Sequence, residues 1–486
     1  MSVESTTPPQ EGLYRRVAEP LLEEHDYQVE QIDGALPKEL TGTLYRIGPG
    51  KHQVGNTPLH NIFDGDGMVS QFTLDGRSVH FRNRYVRTPH FEHGQTSDRI
   101  RYRGVGTQIP GGPLANFLRL PANMANTNLA QHDGELLALW EFGKPHRLDL
   151  DTLETLGEQD FGRRLGYLGA FSAHPKWDPV TGEMFNFGLD LLPTPRIRCY
   201  LVSRSGTLSQ LSSVPMLDLV WNHDFALTPN HLVFVLDPIE PNIRKVVLAT
   251  HSLVDSLEFR PKKGTRFLLV PRDGGKPRIV EHQALVHFHL TNAYEDGTDT
   301  VVDLIRYRDW DELRAGTNAF HQPRLPDSRL MRYRISATGR VTEQELAPHS
   351  VEFPQYDWRR STRQHRYTYL TGRTSPDTAM HNTILKIDHT TGESDGFDFG
   401  DSSVGEPLFV PRTPTAEEDE GWLLLLNHQL TEHRSQLVVL DAQNLGRGPL
   451  ASAWLTHHIP WGFHGTCTRR IAERGAPIPP MAQHRR

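Results

Sequence analysis

Histidines beside strand-like segments are the residues of this sequence best suited to chemistry. They lie in SAHPKWDP (His174), WNHDFALTP (His223), VHFHLTNAYED (His287 and His289) and GFHGTC (His464). Imidazole is a good ligand for iron, zinc, copper and nickel, and four neutral imidazoles leave a divalent metal its full charge. One imidazole from each segment would form a metal site that favours an anionic dioxygen species. The sequence has 26 histidines, however, and a hydrogen-bonded core or turn position is the alternative for each of them.

Three glutamates lie in otherwise apolar strand-like segments, where a carboxylate is costly unless it is paired. They are Glu141 in LLALWEFG, Glu352 in SVEFPQ and Glu406 in VGEPLFVP. A metal-bound imidazole commonly donates its second N–H to a carboxylate, which orients the ring. Three glutamates would serve three of the four histidines in this way. The alternative is a solvent-facing carboxylate at a strand edge.

Other catalytic signatures are missing from the sequence. It has no GxSxG, P-loop, HExxH or CxxC pattern, so hydrolase, nucleotide-binding and zinc-protease functions have no support. Cys199 and Cys467 are its two cysteines, which allow at most one disulfide and no thiolate metal site. The net charge of −7 provides no overall basic surface, and we therefore expect no nucleic-acid partner.

A fold must bring the histidines together, and the sequence favours many short strands joined by turns. It contains 40 Gly and 35 Pro, and a strand–turn–strand pattern recurs roughly every 50–75 residues. The seven instances are VSQFTLDGRSVHFRNRYV, PHRLDLDTLETLG, CYLVSRSGTLSQLS, LLVPRDGGKPRIVEH, LMRYRISATGRVTEQELA, ILKIDHTTGESDGFDF and LVVLDAQNLGRGPL. We predict an all-β fold, a seven-bladed β-propeller with a loop and helical cap over its axis. A large β-sandwich or jelly roll is the alternative.

The chain has no internal linker, and we expect one propeller domain between two tails. The predicted divisions are an N-terminal tail with a short helix at residues 1–26, the propeller at residues 27–470, and a C-terminal tail at residues 471–486. The short helix is placed at Leu13–Leu22. Insertions that form the cap are predicted at Pro110–Ala125 and Pro238–Leu257.

The N-terminus carries no secretory signal pattern, and the longest apolar runs, such as Trp422–Leu426, are too short to span a bilayer. We therefore expect a cytoplasmic protein without an obligate protein partner.

The order of the motifs resembles that of one known family, the carotenoid cleavage oxygenases. The motifs are GTLYRIGPG, FDGDGM, ANTN followed by LLALWE, SAHPKWDP, HDFALTP, FHLTNAYED, VEFP, GEPLFVPR and HHIPWGFHG. They run from about Tyr27 to Thr466, nearly the whole chain. The resemblance implies a seven-bladed propeller whose axial Fe(II) is held by four histidines, three of them hydrogen-bonded to glutamates.

Carried over motif by motif, the implied metal ligands are His174, His223, His289 and His464, and the implied glutamates are Glu141, Glu352 and Glu406. His289 is preferred to His287 because the family's ligand follows the Phe of FHLTNAYE. Both would point to one face of a regular strand, which places His287 behind the ligand. Thr127 of ANTN matches a position beside the open coordination site, where its methyl group would restrict access.

The resemblance also implies a reaction, the oxidative cleavage of a C=C bond by O2 to give two aldehyde or ketone products. The most similar subgroup is the bacterial apocarotenoid oxygenases, which cut the central 15,15′ bond to retinal-type products. Stilbene-cleaving members carry a Lys before the glutamate at the position of Trp140, and an apolar polyene is therefore expected. The alternatives are a stilbenoid or phenylpropanoid alkene-cleaving dioxygenase, an isomerohydrolase, and a non-catalytic propeller that binds a lipid or a partner.

A lipophilic polyene substrate is drawn from membranes, so a peripheral membrane contact is expected. In PLANFLRL, Leu114, Phe117 and Leu118 have roughly helical spacing, and Arg119 is a candidate interfacial anchor. A helix packed on the propeller is the alternative.

Overall fold

Strands are the main regular secondary structure of the computed structural model, which describes residues 15–190, 194–317, 325–375, 378 and 380–474. The strands build seven antiparallel sheets of four to six strands, and each of the seven predicted hairpins lies in a different sheet. Alternating apolar segments separated by turns favour such sheets, because alternation lets a strand bury one face. The sheets are the blades of a seven-bladed β-propeller, and the predicted fold class is confirmed.

The blades are numbered along the chain. Blade 1 contains Asp26–Gln28, Thr41–Lys51, Asp66–Asp75, Val79–Tyr85 and Gly465–Thr468. Blade 2 contains Asn128–His132, Glu135–Leu139, His146–Leu148 and Thr155–Glu158. Blade 3 contains Lys176–Trp177, Met184–Asp190, Arg196–Val202 and Leu208–Pro215. Blade 4 contains Ala226–Leu227, His231–Leu236, Thr265–Pro271 and Arg278–His282.

Blade 5 contains Val286–Asp296, Asp299–Tyr307, Ser328–Ile335 and Val341–Ala347. Blade 6 contains Val351–Gln355, Tyr367–Gly372, Thr383–Asp388 and Ser394–Asp398. Blade 7 contains Ser402–Val404, Leu408–Pro411, Gly421–Gln429, Arg434–Asp441, Pro449–Trp454 and Gln31–Gly34. Two small ribbons lie outside the blades and pair Gln53–Val54 with Thr57–Pro58 and Ile239–Pro241 with Leu257–Phe259.

The two ends of the chain close the ring by exchanging strands. Gly465–Thr468 pairs with Thr41–Lys51 in blade 1, and Gln31–Gly34 pairs with Pro449–Trp454 in blade 7. These pairings supply hydrogen-bond partners to edges that would otherwise stay open. They also fix His464, which directly precedes the closing strand, against the first blade.

Short helices and turns occupy the connections. The α-helices are Pro89–Gly94, Pro113–Asn116, Ile243–Val247 and Trp310–Gly316, and the 3-10 turns are Ile62–Asp64, Val254–Ser256, Pro261–Lys263, Trp358–Arg360 and Leu445–Arg447. Both predicted insertions therefore contain a helix, of four and five residues. The guanidinium of Arg103 joins the two insertions because it donates to the carbonyls of Arg119 and His251.

Helical structure is less extensive than the sequence suggested. The helix at Pro113–Asn116 ends before the predicted apolar stripe is complete, since Phe117 is extended and Leu118 has a φ of 56°. In the predicted helix Leu13–Leu22, residues 13 and 14 lie outside the described residues, and residues 19–22 are not helical.

Residues 15–25, called the N-terminal strap, lie across the closing segment of the ring. The backbone N–H of Trp461 donates to the carbonyl of Val17 at 2.7 Å, and the Arg16 guanidinium donates to the carbonyl of Leu430 at 2.6 Å. Val17 is buried with Ile62 and Phe463. The strap therefore supports side chains that reach the interior of the propeller.

Histidines line the surface on which the strap lies. The rings of His433 and His458 stack at 4.2 Å, and a ring nitrogen of His428 lies 3.2 Å from one of His433. Burial lowers the pKa of His428 to about 3, and the neighbouring His433, His458 and Arg16 add to this effect. His428 is accordingly neutral in the folded protein at pH 7.

This cluster predicts a loss of stability in acid. The unfolded chain binds more protons below about pH 6.5, because its histidines keep their ordinary pKa while that of folded His428 is about 3. Stability therefore falls as the pH drops from about 6.5 toward 3. Replacing His428 with Gln should reduce the loss between pH 7 and pH 5 by about 1–2 kcal/mol, measured by urea unfolding. His60→Gln, a change at an exposed histidine, is the control and should leave the loss of stability between pH 7 and pH 5 unchanged. Equal losses in wild type and His428→Gln would contradict the role given to His428.

Candidate metal centre

The structure brings four of the candidate histidines to one point on the propeller axis. His174, His223, His289 and His464 are buried, and their ligand atoms all lie within 4.8 Å of one another. They come from the innermost parts of blades 3, 4, 5 and 1, respectively. The Nε2 of His223 lies 2.9 Å from that of His174 and 3.2 Å from that of His289. Residues up to 290 positions apart thus form one compact donor set.

The predicted glutamates contact three of these rings on the side away from the centre. The Nδ1 of His223 is paired with Glu141, that of His289 with Glu352 at 2.6 Å, and that of His464 with Glu406 at 2.9 Å.

A carboxylate accepts hydrogen bonds, so each of these Nδ1 atoms carries the proton and each Nε2 presents a lone pair. His223 and His289 therefore face each other with lone pairs at 3.2 Å, which is unfavourable unless a cation lies between them. The donor set fits a bound metal ion.

Neighbouring groups keep two of the glutamates ionised. Burial raises the pKa of Glu352, but the neighbouring His289 and the hydrogen bonds from His289, the Phe353 N–H and Tyr307 outweigh it and hold the pKa at about 2. Burial of Glu406 is likewise outweighed, by His464 and the guanidinium of Arg46, and its pKa is also about 2. Both carboxylates are available as acceptors throughout the physiological pH range.

Glu141 has less support from the protein. Burial raises its pKa to about 8, and its Oε2 is buried without a hydrogen-bond partner among the described residues. An orphaned carboxylate oxygen beside a histidine needs nearby positive charge. A divalent cation at the histidines would lower this pKa and favour the ionised carboxylate as the acceptor for His223.

Sequence reasoning missed three residues that hold the glutamates in place. The Arg46 guanidinium donates to Glu406 at 2.6 Å, and the Gln355 side chain donates to the other oxygen of Glu406 at 2.7 Å. The Tyr307 hydroxyl donates to Glu352 at 2.7 Å. The sequence did contain a sign of the role of Arg46, because Arg46 is a charged residue in the apolar segment GTLYRIGPG. The glutamates were identified by the same criterion.

The backbone is irregular at Glu352 and the following residue, Phe353. Phe353 has a φ of 51°, a left-handed conformation that is strained for a residue with a side chain, and the strand register shifts after Glu352. The Phe353 N–H pairs with the Glu352 carboxylate, while both residues line the central cavity. The strain is thus located where the strand presents two successive side chains to the centre.

A second group of potential ligands, Asp303, His365 and His389, has a different character. Both oxygens of Asp303 accept from the Arg332 guanidinium at 2.8 Å, so the carboxylate charge is already balanced. The two imidazoles share the hydroxyl of Thr368. This group is a hydrogen-bonded network between blades 5 and 6.

Comparison with known proteins agrees with the fold. The profile of the family described as retinal pigment epithelial membrane protein matches residues 18–468. The chain belongs to this family, the carotenoid oxygenases. The resemblance to the carotenoid cleavage oxygenases inferred from the motifs is thereby confirmed.

Relatives of the chain match it over almost their whole length. It is 36% identical over 479 residues to apocarotenoid-15,15′-oxygenase of Synechocystis sp., which covers 94% of this chain and 96% of the relative. It is 30% identical to isoeugenol monooxygenase of Pseudomonas nitroreducens, with 90% and 93% covered. The crystal structure of cobalt-substituted Synechocystis apocarotenoid oxygenase matches with a TM-score of 0.89 and 34% identity, covering 94% of this chain and 98% of that chain.

A cavity adjoins the donor set of this carotenoid oxygenase. Aromatic and aliphatic side chains form most of its wall, among them Phe63, Phe288, Phe353, Trp461 and Phe463. The ring of Phe288 also stacks on His223 at 3.8 Å. An apolar ligand would lie directly beside the Nε2 atoms in this cavity.

Three further predicted positions are located as follows. Thr127 lines the cavity, with its hydroxyl 3.1 Å from the amide oxygen of Asn126. His287 lies outside the donor set because its Nδ1 is 2.6 Å from Asp237. Trp140 is buried against Phe142 and Met124 and does not line the described part of the cavity. Trp140 therefore makes no direct contact, among the described residues, that would select an apolar substrate.

The glutamate contacts predict a specific loss of metal affinity. Glu406→Gln keeps the shape but removes the charge that orients His464, so Fe(II) affinity should fall by about 10–100-fold, measured anaerobically by chelator competition. Glu295→Gln is the matched control, because Glu295 pairs with His231 at 3.2 Å outside the donor set. Wild-type affinity in Glu406→Gln would show that Glu406 is merely a buried ion-pair partner of Arg46.

Proposed function

We propose that this protein is a non-haem Fe(II) dioxygenase that cleaves a C=C bond of an apocarotenoid with O2, at the central 15,15′ bond, to give retinal-type aldehydes. The observation that carries the proposal is the cluster of four imidazoles beside an apolar cavity. All-nitrogen donor sets suit iron, and one Fe(II) per chain is proposed at the four histidines. When bound, Fe(II) would supply O2 binding and activation.

The residues of the chain contribute positioning and exclusion of water. His174, His223, His289 and His464 hold the metal, and Glu141, Glu352 and Glu406 keep three of the rings in one orientation by accepting their Nδ1 protons. The aromatic wall holds a long hydrocarbon so that one of its similar double bonds lies beside the centre. Thr127 limits the space at the same place. The proposed chemistry needs no acid or base.

A phenylpropanoid or stilbenoid alkene is the second candidate substrate. It is favoured by the 30% identity to isoeugenol monooxygenase. Trp140 does not oppose it, because this side chain is not among the described residues that line the cavity. The apocarotenoid is preferred because the identity to apocarotenoid-15,15′-oxygenase is higher and the cavity wall is largely apolar.

Product analysis decides between these functions. The iron-loaded protein should convert apocarotenals into two carbonyl products, each carrying one labelled oxygen atom when the reaction is run briefly under 18O2. Hydroxystilbenes should show little turnover. Efficient hydroxystilbene cleavage, detected by mass spectrometry, would contradict the proposed apocarotenoid substrate. Absence of iron and of any alkene cleavage would instead support a propeller that only binds its ligand.

Membrane association is part of the proposal, since polyenes partition into lipid. None of the described helices is long and apolar enough to cross a bilayer. The first insertion nevertheless exposes Leu114 by 93%, Leu118 by 85% and Phe117 by 49%, which does not agree with a helix packed on the propeller. The second insertion adds exposed Ile243 and Val247. We propose that these side chains form a peripheral membrane contact of a protein in the cytoplasm.

Removing the apolar side chains should release the protein from lipid. Each side chain inserted contributes on the order of 1.5–3 kcal/mol, so Leu114, Phe117 and Leu118 changed together to Ser should move the protein from the liposome pellet to the supernatant. Iron content should stay unchanged. Leu217→Ser, an exposed leucine in another loop, is the control. Identical sedimentation of the triple variant and the wild type would contradict the proposed membrane contact.

A further inference from the structure

Most polar side chains on the cavity wall already have partners. The Tyr307 hydroxyl donates to Glu352, and the Thr317 hydroxyl donates to the carbonyl of Arg314 at 2.7 Å. The Thr127 hydroxyl is paired with Asn126. These groups are committed to the protein and offer little to a ligand. His381 differs from them.

The hydrogen bonds of His381 fix its tautomer. Its Nδ1 lies 2.7 Å from the Thr371 hydroxyl, and that hydroxyl donates its single proton to the Glu352 carbonyl at 3.0 Å. The hydroxyl oxygen must therefore accept from His381, so the proton is on Nδ1 and Nε2 carries a lone pair. No described residue hydrogen-bonds to Nε2, and the ring lines the cavity.

The environment keeps this imidazole neutral. Burial lowers the pKa of His381 to about 4, and the nearby charge of Arg373 acts in the same direction. At neutral pH the ring consequently presents an acceptor and no donor to the cavity. An acceptor without a partner on an apolar wall is unfavourable, and a ligand that supplies a donor at this point relieves it.

We propose that His381 determines substrate specificity by accepting a hydrogen bond from a hydroxyl group at one end of the alkene substrate. The inference rests on the proposed function and refines its substrate to a hydroxylated one. A carbonyl or hydrocarbon end cannot satisfy Nε2, because neither donates a proton. A ring hydroxyl of an apocarotenoid and a phenolic hydroxyl share the required chemistry.

Matched substrate pairs test the assignment. The pairs are an apocarotenal with and without a ring hydroxyl, and stilbene with and without a 4-hydroxyl. The wild type should prefer the hydroxylated member of one pair by about 5- to 10-fold in kcat/KM, the usual effect of one neutral hydrogen bond. The preference should lie mainly in KM, and the pair that shows it identifies the source of the hydroxyl.

His381→Leu should abolish the preference, while His381→Gln should restore part of it because the amide oxygen accepts and the amide NH2 donates to Thr371. Iron content of both variants checks that the centre is intact. Anaerobic substrate titration followed by tryptophan fluorescence, to which Trp461 on the cavity wall contributes, gives the same comparison as Kd ratios without turnover.

The possible failures can be told apart. A wild type without preference in either pair, by Kd or by kcat/KM, overturns the role of His381 and leaves the proposed function standing. A preference that persists in His381→Leu overturns it as well. A Kd preference without any alkene cleavage supports the hydroxyl contact and contradicts the dioxygenase.

Discussion

Lone pairs directed at one point inside an apolar protein are the constraint on which this structure depends. The imidazoles of His223 and His289 face each other at 3.2 Å and require a cation between them. Each of the seven blades supplies one residue to this arrangement. Blades 1, 3, 4 and 5 supply the histidines, and blades 2, 6 and 7 supply Glu141, Glu352 and Glu406. Every blade thus takes part in the site: four blades supply the imidazole ligands, and three supply the carboxylates that orient them.

The charges around the centre explain why the outer contacts are as specific as the donors. Arg46 compensates Glu406, Tyr307 and the Phe353 N–H support Glu352, and Glu141 is left with an unpaired oxygen. A divalent ion adds the missing positive charge, so metal binding and the stability of the propeller interior are coupled. The same interior is apolar where the substrate would lie, and the one uncommitted imidazole there, within the described residues, has a defined acceptor role.

Local signals in the sequence predicted the blades and marked the candidate histidines and glutamates, and the resemblance to the family selected the four donors among them. Each hairpin carries its own turn, and each histidine and glutamate lies in a distinctive segment such as SAHPKWDP or SVEFPQ. The support of Glu406 by Arg46 was missed because the two residues are 360 positions apart and meet only when the ring closes. The helical spacing of Leu114, Phe117 and Leu118 was wrong in detail, since Leu118 adopts a positive φ that no propensity predicts. The acceptor role of His381 depends on the direction of one hydroxyl proton, which sequence does not encode locally.

The most direct test of the central claim is Fe K-edge X-ray absorption on protein loaded anaerobically with Fe(II). The account predicts about one iron per chain with four imidazole nitrogens at roughly 2.0–2.3 Å, the usual range for first-row metals, and loss of one imidazole in His464→Ala. Fewer than four imidazoles in the wild type, or a carboxylate oxygen from Glu141, Glu352 or Glu406 bound to the metal, would contradict it.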